Sequence, residues 1–221
     1  GDMKAVIRAV LLDEEARGDN ARKQPSFGRI REPVLRFTHL MRALEASSRT
    51  GYWGIGRTDV PGNLNQTAMR APSVFNFYRP GYSPAGTPVA RAGLVAPEMQ
   101  ILQESSVAGY ADYLDRFVGG TSIYIVGLGD MVPHPDGERH SGGQAREIKF
   151  NIEPLIAKAK DVDQLLDEIN VLFLNGQMQS DTRAIIHRAV SEAVPKRNND
   201  DMRRVYRERV SLALYLALLS T

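Results

Sequence analysis

Cysteine is absent from this 221-residue chain, which excludes thiol catalysis, structural disulfides and cysteine metal sites while leaving the redox compartment open. No long apolar run occurs either. The longest, residues 212–219, falls far short of the ~20 residues that a helix needs to cross a bilayer, so no membrane span is expected. Charge of one sign is also missing: 28 Lys and Arg stand against 26 Asp and Glu, a formal net charge of +2 that gives no electrostatic ground for binding nucleic acid. Gly1 is not an initiator, and no charged-then-apolar signal segment precedes the first helical pattern, so the expectation is a fragment or processed product of a longer protein. What the chain does have is 43% hydrophobic residues, enough for a proper core in one domain or two small ones.

Most of that apolar content recurs at helical spacing. Met3, Val6, Ile7, Val10 and Leu11, with Gly18 as a stop, predict a helix over about 3–16. Pro33 suits a first helical turn, and Val34, Phe37, Leu40, Met41 and Leu44 continue a second helix to about 47. Pro97 opens a third, which Gly119-Gly120 closes. Pro154 starts a short helix, Asp161 or Asp163 caps one over 162–174, and Ser180 or Asp181 caps the next, through 193; the last spans 200–219. The first and last are similar small-and-apolar helices and read as buried. Only 122–126 and 147–152 have strand patterning, and they can pair across a flap at 127–145. The fold expected is therefore mainly α: a single helical domain over 1–221 with a long ordered aromatic loop and a small β flap inserted at 118–152.

The loop, 49–96, is rich in Gly, Pro, Asn and Ser, and a compact domain must pin a segment of that length. Trp53, Val74, Phe75, Phe77, Tyr78 and Tyr82 are the groups available for this. The expectation is that Phe75 and Phe77 are buried and Asn76 bonds loop backbone. Trp53, Asn76, Tyr78 and Arg79 are the binding candidates, since an exposed aromatic run could instead stack sugar rings.

Glu98, Glu104 and Asp112 are the acids to weigh for acid–base catalysis. Glu98 and Glu104, six apart, point to different helix faces, and Glu98 in a first turn has a structural use at the positive end of the dipole. Glu104 and Asp112, eight apart, can share a face, and solvent or Arg pairing is the better account of it. His134-Pro-Asp-Gly-Glu-Arg-His140 offers imidazoles and carboxylates, but matches neither a helical zinc spacing nor a calcium loop, and ordering it costs entropy; no metal is expected. His39 and His187 read as packing or surface positions. Ser73, Ser105 and Ser106 stand in no nucleophile elbow. Gly51-Tyr-Trp-Gly-Ile-Gly56 lacks the strand-before, helix-after context of a phosphate cradle, so no cofactor is expected.

Three segments carry a family resemblance: Arg31-Glu-Pro-Val-Leu-Arg-Phe-Thr-His-Leu-Met-Arg-Ala-Leu44, Ala71-Pro-Ser-Val-Phe-Asn-Phe-Tyr-Arg-Pro80 and Gly93-Leu-Val-Ala-Pro-Glu-Met-Gln-Ile-Leu-Gln-Glu104. With Leu174-Asn-Gly-Gln-Met178, Thr182-Arg183 and Arg209-Val-Ser-Leu-Ala-Leu-Tyr-Leu-Ala-Leu-Leu219, the chain resembles the C-terminal half of a bacterial exported family catalogued as domain of unknown function number eighteen hundred. The resemblance implies a helical scaffold and a periplasmic or extracellular location, and brings no catalytic residue with it. It implies a non-catalytic envelope or extracellular binding and assembly module; the competing reading is a hydrolase acting on an envelope polymer or glycan through Glu98, Glu104, Asp112 and the flap histidines. Expected partners are an N-terminal half or a second copy, reached through the terminal helices, and an envelope protein or glycan.

Overall fold

The computed structural model describes residues 1–22, 30–48, 53, 55–102, 104–119, 148–193 and 202–220. It is mainly α-helical, as expected, and its contacts divide it into two units, 1–31 and 32–221.

The first unit holds α1 (Met3–Leu12), α2 (Glu14–Arg17) and α3 (Asp19–Arg22). The single helix expected over 3–16 is broken at Asp13. There the backbone opens to ψ 141° and the carboxylate accepts the Glu15 N–H at 2.9 Å, so an acid late in one helix becomes the cap of the next. Gly18 stops α2 as expected, its N–H donating to the Glu14 carbonyl; a Cβ there would sit 2.5 Å from that oxygen. The expectation of a buried first helix is overturned, because α1 contains no buried residue.

In the second unit, α4 (Pro33–Ala43) begins with proline where its missing N–H costs nothing, and buries Phe37 and Leu40; the short α5 (Pro88–Arg91) lies in the long loop. Phe37 meets Tyr113 and Phe117 edge-on, with ring centroids 5.1 and 4.9 Å apart, which locks α4 to α6 (Glu104–Leu114) and the π-helical turn Asp115–Gly119. The helix expected from Pro97 to Gly119 is thus three pieces: a 3-10 turn (Pro97–Gln100), α6, and the π turn. After α7 (Glu153–Lys158), Asp161 caps α8 (Val162–Leu174), accepting from the N–H groups of Asp163 and Gln164. Asn175 and Gly176, both left-handed, end it. α9 (Ser180–Ser191) departs from expectation: Gln179 is its cap position and makes no side-chain cap bond.

The final helix, α10 (Met202–Leu219), sits against α7, α8, α9 and the π turn, burying Val205, Val210, Ala213, Leu214, Ala217 and Leu218. Leu212, Tyr215 and Leu216 pack half-buried against the same core, so most of its nearly all-round apolar surface is covered, with Leu219 at its end left exposed. Arg36 of α4 closes the end of this helix, Nη2 donating to the Leu218 carbonyl at 2.6 Å with the guanidinium 4.1 Å from the Tyr110 ring centre. Burial lowers the Arg36 pKa.

Among the described residues the β content is two short strands, β1 (Ser47–Ser48) antiparallel to β2 (Ile148–Lys149). The strand expected at 147–152 therefore exists in part, but its described partner is the segment after α4, not 122–126. That segment and the 127–145 flap lie outside the described residues.

Candidate functional site

The long loop is anchored by polar groups, and this determines what it displays. Glu32, half-buried just before Pro33, is the hub. Its Oε1 accepts the Tyr78 hydroxyl at 2.7 Å and its Oε2 accepts the Gln66 side-chain amide. Gln66, only 2% exposed, turns its own Oε1 to the Val34 N–H at 3.1 Å, so it caps the first turn of α4 from 32 residues away. One glutamine thereby satisfies a helix-terminal donor and holds a carboxylate, while Tyr78 ties the outer part of the loop to the same acid.

Around this hub the inner loop lies flat on α6. Leu64 is buried, Tyr113 donates to the Ile55 carbonyl at 2.8 Å, and Asn65 and Ser106 both donate to the Ile101 carbonyl. The hydroxyls of Thr58 and Thr67 bond one another, and the Asn63 amide bonds the Arg57 carbonyl. Gly109 permits the approach: a Cβ there would stand 2.1 Å from the Pro61 carbonyl oxygen. Arg57 grips Asp59 through two bonds and holds that carboxyl below its ordinary range.

Past Gln66 the chain turns outward. Met69 and Asn76 have positive φ, 63° and 70°, and the N–H groups of Phe75 and Asn76 fold back on the Ser73 Oγ and carbonyl at 3.2 Å. This turn leaves Val74 95% and Phe75 69% exposed, with Phe77 half-buried. The expectation that Phe75 and Phe77 are buried anchors is therefore overturned. The physical reason is that Glu32, Gln66 and Tyr78 supply the anchorage with hydrogen bonds, leaving the neighbouring rings unconstrained by burial. Of the four binding candidates, Trp53 is exposed, Tyr78 is committed to Glu32, Asn76 forms the turn, and Arg79 is exposed with its backbone N–H on Gln100 Oε1 at 2.8 Å. The return strand of the loop, held by Ala96 N–H to the Tyr82 carbonyl and Ser83 Oγ to the Leu94 carbonyl, exposes Leu94 and Val95.

The three acids are spread over different elements: Glu98 is half-buried in the 3-10 turn, Asp112 is exposed on α6, and Glu104 opens α6, its side chain lying outside the described residues. Asp112 instead joins Asp115 beside Tyr215 of α10. Burial raises the pKa of that phenol first, and the two carboxylates raise it further. Sequence reading missed Asp115 and Tyr215; the i, i+3 spacing of the two aspartates was the available signal, and nothing in the sequence placed Tyr215 beside them. No group of three or more His, Asp or Glu suited to a metal occurs among the described residues, and His134 and His140 fall outside them.

A second constellation was not singled out from sequence. On the α8–α9 hairpin, His187 Nδ1 lies 3.4 Å from Ser191 Oγ and its Nε2 lies 3.7 Å from Asp163 Oδ2. These are the residue types of an acyl-transfer triad. Their setting lacks the rest of the chemistry. Ser191 is the last residue of α9, where carbonyls face outward, and the next two N–H groups are bonded to the Arg188 and Val190 carbonyls, so neither is free to hold an oxyanion. Asp163 also accepts from Arg183, which reaches Asp167 at 2.8 Å, and the cluster joins two helices.

The profile of the family described as "Protein of unknown function (DUF1800)" matches residues 1–221, and the chain belongs to that family. No curated protein and no solved structure matches it significantly.

Proposed function

We propose that this chain is a non-catalytic binding and assembly module of the bacterial cell envelope, exported to the periplasm or beyond, and that residues 67–82 with 94–95 form its recognition face. One observation carries the reading: Val74 and Phe75 stand in solvent on a loop whose base is fixed by the Glu32, Gln66 and Tyr78 bonds. A large exposed ring on a pre-ordered support binds with little loss of entropy, which is what a recognition surface requires. Glu98 and Asp112 occupy separate elements, and both Glu32 oxygens already accept bonds, so among the described residues these acids form no convergent pair for acid–base work.

The exposed ring also gives the glycan-hydrolase reading a specific foothold, since sugars stack on such a surface. Both readings meet one experiment. Wild-type chain and the Val74→Ser/Phe75→Ser variant are used to capture partners from native envelope extract, and both are incubated with purified envelope glycan while reducing ends are counted. The module reading expects a specific partner that the variant loses at unchanged melting temperature, with no new reducing ends. Glycan cleavage abolished by Glu98→Gln or Asp112→Asn would establish the hydrolase instead.

A further inference from the structure

The charges beside the exposed tip of the long loop select what it meets. The Asn76 N–H donates to the Ser73 carbonyl, which places Val74 and Phe75 at the two central positions of a β-turn, so the chain enters and leaves the tip from one side. Arg70 stands four residues before Val74 and Arg79 four residues after Phe75, one on each leg, and both are exposed. Between Asp59 and Glu98 the chain has Arg70, Arg79 and Arg91 and no Asp, Glu or Lys, whereas the two signs nearly balance over the whole sequence. Asp59, whose charge Arg70 feels, is already gripped by Arg57, so two guanidiniums act on one carboxylate and a positive charge is left over. Arg79 has no ion-pair partner among the described residues.

The form of the tip suits a lipid surface better than a protein groove. Val74 is 95% and Met69 100% exposed, so the tip is convex and no neighbouring side chains wall a groove that could grip a peptide. The Phe75 and Asn76 N–H groups bond the Ser73 Oγ and carbonyl, and Pro72 has no N–H to strip of water. Entering a layer without water therefore leaves these donors paired. A charge of one sign fits a uniformly anionic plane, where guanidiniums stay among the headgroups while a phenyl ring goes deeper.

We infer, taking residues 67–82 as the recognition face proposed above, that this face docks on an anionic bilayer, with Val74 and Phe75 entering the boundary of headgroups and acyl chains and Arg70 and Arg79 binding lipid phosphates. No helix among the described residues is long and apolar enough to cross a membrane, and attachment of this kind is peripheral and reversible. Two arginines beside one small apolar tip give weak binding that salt reverses.

Flotation of the full chain with phosphatidylcholine vesicles, with and without phosphatidylglycerol, tests this. Binding is expected only where phosphatidylglycerol is present, and should fall with added salt. Arg70→Gln/Arg79→Gln should weaken it about 25-fold, roughly fivefold for each arginine at the surface. Val74→Ser/Phe75→Ser should weaken it about tenfold or more, and the indole of Phe75→Trp should be quenched by brominated acyl chains more than native Trp53 is. No binding to the anionic vesicles, equal binding to neutral ones, indifference to either double variant, or an unquenched indole overturns the inference. Capture of an envelope protein that Val74→Ser/Phe75→Ser loses, by a chain that ignores vesicles, would keep the recognition face and assign it to protein instead. If that variant loses neither vesicle binding nor capture, both the lipid assignment and the recognition face fall.

Discussion

If polar bonds hold the long loop, removing one glutamine should cost more than removing the most conspicuous aromatic ring. Gln66→Ala deletes two bonds at once: its amide to the Glu32 carboxylate, and its carbonyl to the Val34 N–H at the start of α4. A charge-assisted bond contributes about 1.5–3 kcal/mol, and a donor left without its partner at a half-buried position about 1 kcal/mol, so the expected loss is about 2.5–4 kcal/mol. For a cooperative unit of this size that corresponds to a melting temperature lower by roughly 5–15 °C. Phe75→Ala, acting on a side chain already in solvent, should change stability by no more than about 0.5 kcal/mol. Calorimetry or urea unfolding of the two variants beside wild type gives both numbers. Gln66→Ala at wild-type stability, with Phe75→Ala costing the ~3–5 kcal/mol of an aromatic core truncation, would refute polar anchorage and return the ring to the interior. Tyr78→Phe sharpens the comparison. It removes the second bond to Glu32, and its effect should not add to that of Gln66→Ala, since the two groups hold one carboxylate.

Two further outcomes follow from the same contacts. Gly109→Ala would gain about 1 kcal/mol in an open helix, but here the new methyl meets the Pro61 carbonyl at 2.1 Å, so a net loss of about 1–3 kcal/mol is expected; a stabilised variant in thermal melts would mean that the inner loop does not lie on α6. Burial raises the pKa values of the Tyr110 and Tyr113 phenols, with Arg36 and Arg116 opposing, so the folded state keeps protons that the unfolded chain releases. Their contribution is then fully present below the ordinary tyrosine value near 10 and lost as pH rises through the folded values, giving alkaline destabilisation measurable by urea unfolding from about pH 9 upward. Tyr110→Phe should flatten that limb at little or no loss at neutral pH, because the Tyr110 hydroxyl has no hydrogen-bond partner among the described residues; an unchanged limb in both Tyr110→Phe and Tyr113→Phe would refute the assignment.

The helices were legible because their signals are local. Pro33 and Asp161 each act within a turn of their own position, and the α8 and α10 bounds read from periodicity lie within two residues of those observed. Breaks and pairings were not legible, because they depend on distant residues. Asp13 looks the same whether it lies inside a helix or caps the next, and propensity alone does not decide. β2 finds Ser47–Ser48 through packing around α4, where Asn151 also bonds the Leu44 carbonyl and the Glu45 carboxylate, and a two-residue strand has no period to read.

The loop shows why the burial of its rings cannot be read from sequence. Its aromatic residues stand out in sequence, and hydrophobicity suggests burial, since an irregular segment must be pinned by something. The pin is a glutamine 32 residues from the helix it caps and a glutamate that reads, in sequence, only as the residue before a proline. Side-chain amides leave no periodic trace, so a polar anchor cannot be distinguished from a solvated loop residue by pattern. Once the anchor is polar, the rings are no longer required inside, and their exposure changes from a packing fault into the property that recognition would use. Within one aromatic run Tyr78 and Phe75, three residues apart, therefore differ in what holds them: the Tyr78 hydroxyl reaches Glu32 beside half-buried Phe77, and Phe75, at the tip of the turn, remains in water.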